Sequence, residues 1–281
     1  MTTVTDLPVR APAVVPRARY RDLLAAEWIK FWSLRSSWGS LLLILLAMVG
    51  FSVYASLADY RNWPSYPADR RALVNPFWDA FPDEAQLFVV LAAGSIGVIA
   101  IGGEYATGLI RTTFAVVPAR RAVISAKIVV VTGVMTVLGV IGASAAFAAS
   151  QAILSGRYGA VQLDDPGVLR AIAATALLTP LCTLIGLALG AVVRHTAPAI
   201  VTAASVLLLL PTAVDEDERW TALLRHAMPM PAWQRLIETT APPAWAVTPY
   251  PATVAGAWTT YAAWAAICAV LTILATNHRD P

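Results

Sequence analysis

The chain alternates between long apolar runs and short charged segments, and the runs are longer than the core helices of a soluble domain need. Six of them, at about residues 38–58, 85–103, 128–154, 171–193, 197–214 and 252–276, are long enough to cross a hydrocarbon layer about 30 Å thick. Each predicts a transmembrane helix, since a backbone in lipid must satisfy its own hydrogen bonds. The fifth is short and opens with Pro198 in its first turn, where a missing N–H is tolerated. Only Arg194, His195 and Thr196 join it to the fourth, which predicts a tight hairpin. Ahead of the first span, Tyr20, Leu23, Leu24, Trp28, Phe31 and Trp32 recur at helical spacing over residues 19–35, with Arg21, Asp22, Glu27 and Lys30 expected on the other face. A basic amphipathic helix of this kind suits the headgroup layer, with Trp28 and Trp32 as anchors.

Residues 1–18, proline-rich and without an apolar run, predict a disordered arm that is not a signal peptide; residues 277–281 form a short tail. Within residues 215–250, after the acidic run 215–218, Trp220, Leu223, Leu224 and Met228 share one helical face. Trp233, Leu236 and Ile237 share another beyond Pro229 and Pro231, predicting two short amphipathic helices at the outer surface.

Composition agrees with the pattern. With 58% apolar and 13% charged residues and a mean hydropathy of +0.65, the chain lacks the polar surface of a soluble domain. The fold class is therefore an all-α polytopic membrane protein. With the N-terminus inside, the inner segments hold more Lys and Arg than the outer ones, which places both termini in the cytoplasm and the protein in the plasma membrane. Lys30 and Lys127 are the only lysines, and the preference for Arg and Ala points to a GC-rich bacterial genome.

Candidate chemistry is sparse. No ionisable side chain lies in the middle of a span, which argues against proton-driven transport and intramembrane metal hydrolysis. Sodium sites built from backbone carbonyls stay open. Three histidines without a close pair predict no metal site, and Cys182 and Cys268 read as buried reduced thiols. Ser144, Ser150, Thr175 and Ser205 and the GxxxG of Gly186 and Gly190 are expected in helix packing. A polytopic enzyme acting on lipid-linked substrates would have to use Asp59, Asp79, Asp83, Glu84 or the run 215–218. No phosphate loop GxxxxGK[ST] is present, so any ATP hydrolysis belongs to another subunit.

The loop after the second span is the most distinctive segment. Glu104 marks the exit from that span, a short helix through Leu109 and Phe114 follows, and Pro118 ends it. Arg120, Arg121 and Lys127 then lead into the third span, where headgroup anchoring is the expectation.

In the order Glu104, Thr107, Gly108, Arg111, Phe114, Pro118, Arg120, Arg121 and Lys127, the chain resembles the permease subunits of type-2 ATP-binding-cassette exporters, with Thr-Gly in place of the commoner Gly-Thr. The N-terminal helix with Glu27 and Lys30, the hairpin at Arg194 and the Pro/Trp-rich outer segment extend the resemblance from about residue 19 to the C-terminus. It implies that the loop is a coupling helix docking onto a separate ATPase, with Glu104, Tyr105, Thr107, Gly108, Arg111, Phe114, Pro118, Glu27 and Lys30 in the coupling region. It also implies a homodimer or a related permease partner, a re-entrant outer segment, ATP held only by the partner, and efflux as the direction. Membrane lipids complete the expected partners, and no nucleic acid is expected. An anchoring protein without transport activity is the alternative reading.

Overall fold

The computed structural model describes residues 18–33, 35–68, 71, 77–156, 161–239 and 248–277. Residues 1–17 of the expected arm, 278–281 of the tail and 240–247 of the outer segment lie outside the described residues. Every regular element among the described residues is a helix: α1 Tyr20–Ser33, α2 Arg35–Asn62, α3 Asp83–Ala106, α4 Leu109–Val116 and α5 Arg120–Leu154. Then follow α6 Val168–Val193, α7 Thr196–Thr212, α8 Arg219–His226, α9 Pro229–Ile237 and α10 Val254–Asn277.

Among the described residues five helices are long and apolar enough to cross a membrane, and the remaining expected span corresponds to a shorter apolar helix. The exception is α7. At 1.5 Å per residue it reaches about 25 Å, short of the roughly 30 Å of hydrocarbon. A π turn over Ser205–Leu209 interrupts it, Pro211 follows, and the helix stops at Thr212.

The centre of the bundle is α6, which packs against α3, α5, α7, α9 and α10. Of its most apolar stretch 72% is buried, against 28% for Ser37–Ser65 and for α10, so α2 and α10 form the periphery. Without a hydrophobic driving force between helices in lipid, close backbone approach must hold them together. The α3–α6 contact is built that way. A Cβ added to Gly97 would stand 2.0 Å from the Thr183 carbonyl oxygen, and one added to Gly186 would stand 2.0 Å from that of Gly94.

Pro180, inside α6, cannot donate to the Ala176 carbonyl one turn back. Gly139 of α5 packs on that same oxygen, where a Cβ would come within 2.1 Å. Side-chain hydrogen bonds add to these contacts. Ser56 Oγ donates to Ser150 Oγ (2.8 Å), Ser52 Oγ to the Ala146 carbonyl (2.9 Å), and Trp233 Nε1 to Thr175 Oγ1 (3.0 Å). Each such bond contributes on the order of 0.6 kcal/mol. Ser150 and Thr175 thus bridge helices as expected, Ser205 bonds within its own helix, and Ser144 is exposed.

The segment after α7 divides in two. Helix α8 carries Trp220, Leu223 and Leu224 on an exposed face. Helix α9 does not lie at a surface as its pattern predicts: Trp233 and Leu236 are fully buried between α6 and α10. Arg170 donates from α6 to the carbonyls of Leu236 and Glu238 at the end of α9. From α10, Thr260 and Trp264 donate to the carbonyls of His226 and Ala227 at the α8–α9 corner.

Candidate functional site

The opposite end of the bundle gathers α1, the end of α3, α4, the start of α5, the α6–α7 junction and the end of α10. Four charged side chains meet there. Glu27 and Lys30 come from α1, Glu104 from the last turn of α3, and Lys127 from two turns inside α5. Lys30 Nζ donates to Glu27 Oε1 (2.7 Å) and Glu104 Oε1 (3.1 Å). Lys127 Nζ donates to Glu27 Oε2 (2.5 Å) and Glu104 Oε1 (2.9 Å). Opposite charges therefore alternate around a closed ring that uses both lysines of the chain.

Local structure explains why the ring is needed. A carboxylate in the last turn of a helix opposes the helix dipole, so Glu104 requires cations beside it. Lys127 lies about 10 Å along α5 from its start, too deep to reach water. It is 3% exposed, Glu27 4% and Glu104 9%. Charges this dry are tolerated only when each is paired and hydrogen-bonded.

Two expectations are corrected here. Lys127 does not anchor headgroups, because α5 begins at Arg120 and carries it inward as helix. Glu27 is not on an exposed polar face. Leu23, Glu27 and Phe31 are spaced four apart and form the buried stripe of α1 against the bundle. The remaining face of α1 is largely apolar and open, with Trp28 and Ile29 more than half exposed.

Lys30 is the ring's more open member. Burial lowers its pKa, but the hydrogen bond to Glu27 and the charges of Glu104 and Glu27 raise it more, leaving it above the ordinary 10.5. A raised lysine stabilises the fold fully below its unfolded pKa, and that share is lost as pH climbs through the folded value. The unfolding midpoint in detergent should therefore decline with increasing pH above 10.5, and decline less steeply for Lys30→Met. Equal slopes for the two proteins would show that Lys30 does not feel the ring.

Tyr105 extends the network. Arg194 Cζ stacks 5.1 Å above its ring, and Arg194 Nη2 reaches the Ala275 carbonyl of α10 at 3.4 Å. Arg194 ends α6 with φ 61°, a left-handed conformation that aims its side chain back across the bundle end. Adjacent residues of α3 thus tie five helices: Glu104 holds α1 and α5, and Tyr105, through Arg194, holds α6 and α10. Sequence reasoning did not single out Arg194 as a site residue, and its backbone conformation left no sequence signal.

Helix α4 hangs from this junction. Thr107 closes α3 with a hydrogen bond to the Gly103 carbonyl, and Gly108, at φ 71°, turns the chain into α4. A residue with a Cβ would be strained there. Ile110 and Phe114 are buried one turn apart, and Arg120 Cζ lies 5.3 Å from the Phe114 ring. That stacking keeps one cation of the α5 N-terminus occupied with a partner. The other face of α4 is bare: Leu109, Arg111, Thr112 and Val116 are exposed, as are Pro118 and Arg121 beyond it. On α1, Trp28 packs edge-on against Trp32 at 5.4 Å, and Trp32 meets Trp38 of α2 in a tilted arrangement at 4.3 Å.

The described residues hold no cluster of three metal-ligating side chains, and Cys182 and Cys268 are buried free thiols. No family model matches the chain, and no curated protein is similar to it at a significant level.

Proposed function

We propose that the chain is the permease subunit of an ATP-binding-cassette exporter, paired with a second permease and driven by a separate ATPase that docks on α4. Both termini then lie on the cytoplasmic side together with α4 and the ion ring, and α7 completes six crossings with local adjustment of the bilayer. The observation that carries the reading is the position of α4. It is a short helix with one bare face, joined directly to the two residues that tie α1, α5, α6 and α10 together. A push on α4 reaches every one of those helices through charged or stacked contacts, not through a flexible linker. ATP binding and hydrolysis take place on the partner, and the chain supplies the pathway.

The test is export in sealed vesicles containing this chain with and without its ATPase. ATP-dependent export should need both, and export by the chain alone would overturn the proposal. A variant altered only on the bare face, Arg111→Glu with Val116→Asp, should lose at least about tenfold in stimulated ATPase activity. Its unfolding midpoint should stay within about 0.5 kcal/mol of the parent in stability, as for surface changes generally. Unchanged stimulation would mean that α4 is not the docking element.

A further inference from the structure

Helices α1 and α5 do not close on each other along their whole contact. Beside the ion ring a groove of about 380 Å³ opens between them, with Leu24, Ala25 and Trp28 on one wall and Val129 and Val134 on the other. Its floor is Gly133, where an added Cβ would meet nothing within 4 Å. Every lining residue is apolar, and Trp28 and Val129, at the rim, are 51% and 52% exposed. The floor belongs to a helix long and apolar enough to span a membrane. The adjoining tryptophans 28, 32 and 38 form the kind of aromatic step found where hydrocarbon meets headgroups. Hydrocarbon is therefore the medium that reaches this groove.

One charge sits in line with it. Arg21, Leu24, Ala25 and Trp28 follow at helical spacing, so Arg21 heads the same stripe of α1. Its side chain is 75% exposed and pairs with Asp22 at 3.6 Å, an exposed pair that holds it weakly. We infer that the groove is a binding site for one phospholipid, with an acyl chain laid over Gly133 and an anionic phosphate at Arg21. The lipid fills the gap between the two helices that Glu27 and Lys127 join, and so braces α1 against α5. The inference needs only the membrane reading and is independent of the transport proposal.

Native mass spectrometry of the full chain, released from nanodiscs of equimolar phosphatidylglycerol and phosphatidylcholine, tests it. The parent should retain one phosphatidylglycerol per chain. Gly133→Ala should retain it too, because the added methyl only shallows the floor. Gly133→Phe fills the groove and should cut occupancy by about tenfold. Ala25→Phe fills the same space from an exposed position on α1, so its result decides the matter if the glycine variant fails to fold. Arg21→Gln should keep a bound lipid but lose the preference for phosphatidylglycerol. Parent-like occupancy in both phenylalanine variants would overturn the inference. So would a phenylalanine variant that splits a dimer without losing lipid, which would make the groove an interface between copies.

Discussion

Lys127→Met should destabilise the protein by about 3–5 kcal/mol, the usual consequence of removing one partner from a buried ion pair. Methionine matches the stem of lysine in length, so the loss reports charge and not volume. Without the Lys127 ammonium, Glu27 Oε2 loses its partner, and Glu104 keeps only the longer contact from Lys30. Both carboxylates are buried, so water cannot replace the missing donor. The double variant Lys127→Met with Glu27→Gln leaves the neutral pair Lys30–Glu104 and should recover a substantial part of the loss. Unfolding midpoints in detergent measure both. A single variant within about 0.5 kcal/mol of the parent would mean that water reaches the ring. The same pair of variants separates architecture from coupling. On the proposed permease function, the double variant should still be impaired in ATPase stimulation, since α1 and α5 are no longer joined to each other at that point.

Gly186→Ala is the second large effect. The added methyl would stand 2.0 Å from the Gly94 carbonyl oxygen and about 3 Å from Val98 N, both backbone atoms that no rotamer change can move. The two helices must separate, and α6 is the one against which most of the bundle packs. Overpacking of this kind destabilises by about 1–3 kcal/mol, and more where the obstacle is rigid. Gly97→Ala presses on the Thr183 carbonyl from the other side and should act alike. Gly103→Ala, on the same helix α3 but in open space, should be within about 0.5 kcal/mol of the parent. Yield and unfolding midpoint of the three variants provide the check. Parent-like behaviour of Gly186→Ala would require a looser α3–α6 contact than the fold has.

The two sites differ in how visible they were beforehand. Gly186 and Gly190 form a GxxxG, but helices rich in Gly and Ala contain such spacings by composition, and nothing local marks which pair faces a neighbour. The ring is a different case. Glu27, Lys30, Glu104 and Lys127 all stood out individually, but Glu27 was assigned to the polar face of α1, although its spacing of four from Leu23 and Phe31 puts it on the buried stripe. What stayed hidden was the pairing across 100 residues between Glu27 and Lys127. Arg120 and Arg121 beside Lys127 made all three read as a headgroup cluster. The extension of α5 back to Arg120 separated them, leaving the arginines at the helix start and carrying the lysine inside.

Hydrophobic run lengths alone determined that the chain is a bundle of membrane-type helices, because in lipid the backbone has no other way to satisfy its polar groups. Helical spacing and local signals also placed α1, the short helix through Leu109 and Phe114, its stop at Pro118 and the hairpin at Arg194, all of which depend on nearest neighbours in sequence. The tertiary structure alone decided which glycines touch a backbone, that α9 turns inward and not along the surface, and that four distant charges close into one ring. Those outcomes depend on which helix faces meet. In helices apolar on every side, the amphipathic stripe that would announce the facing is missing.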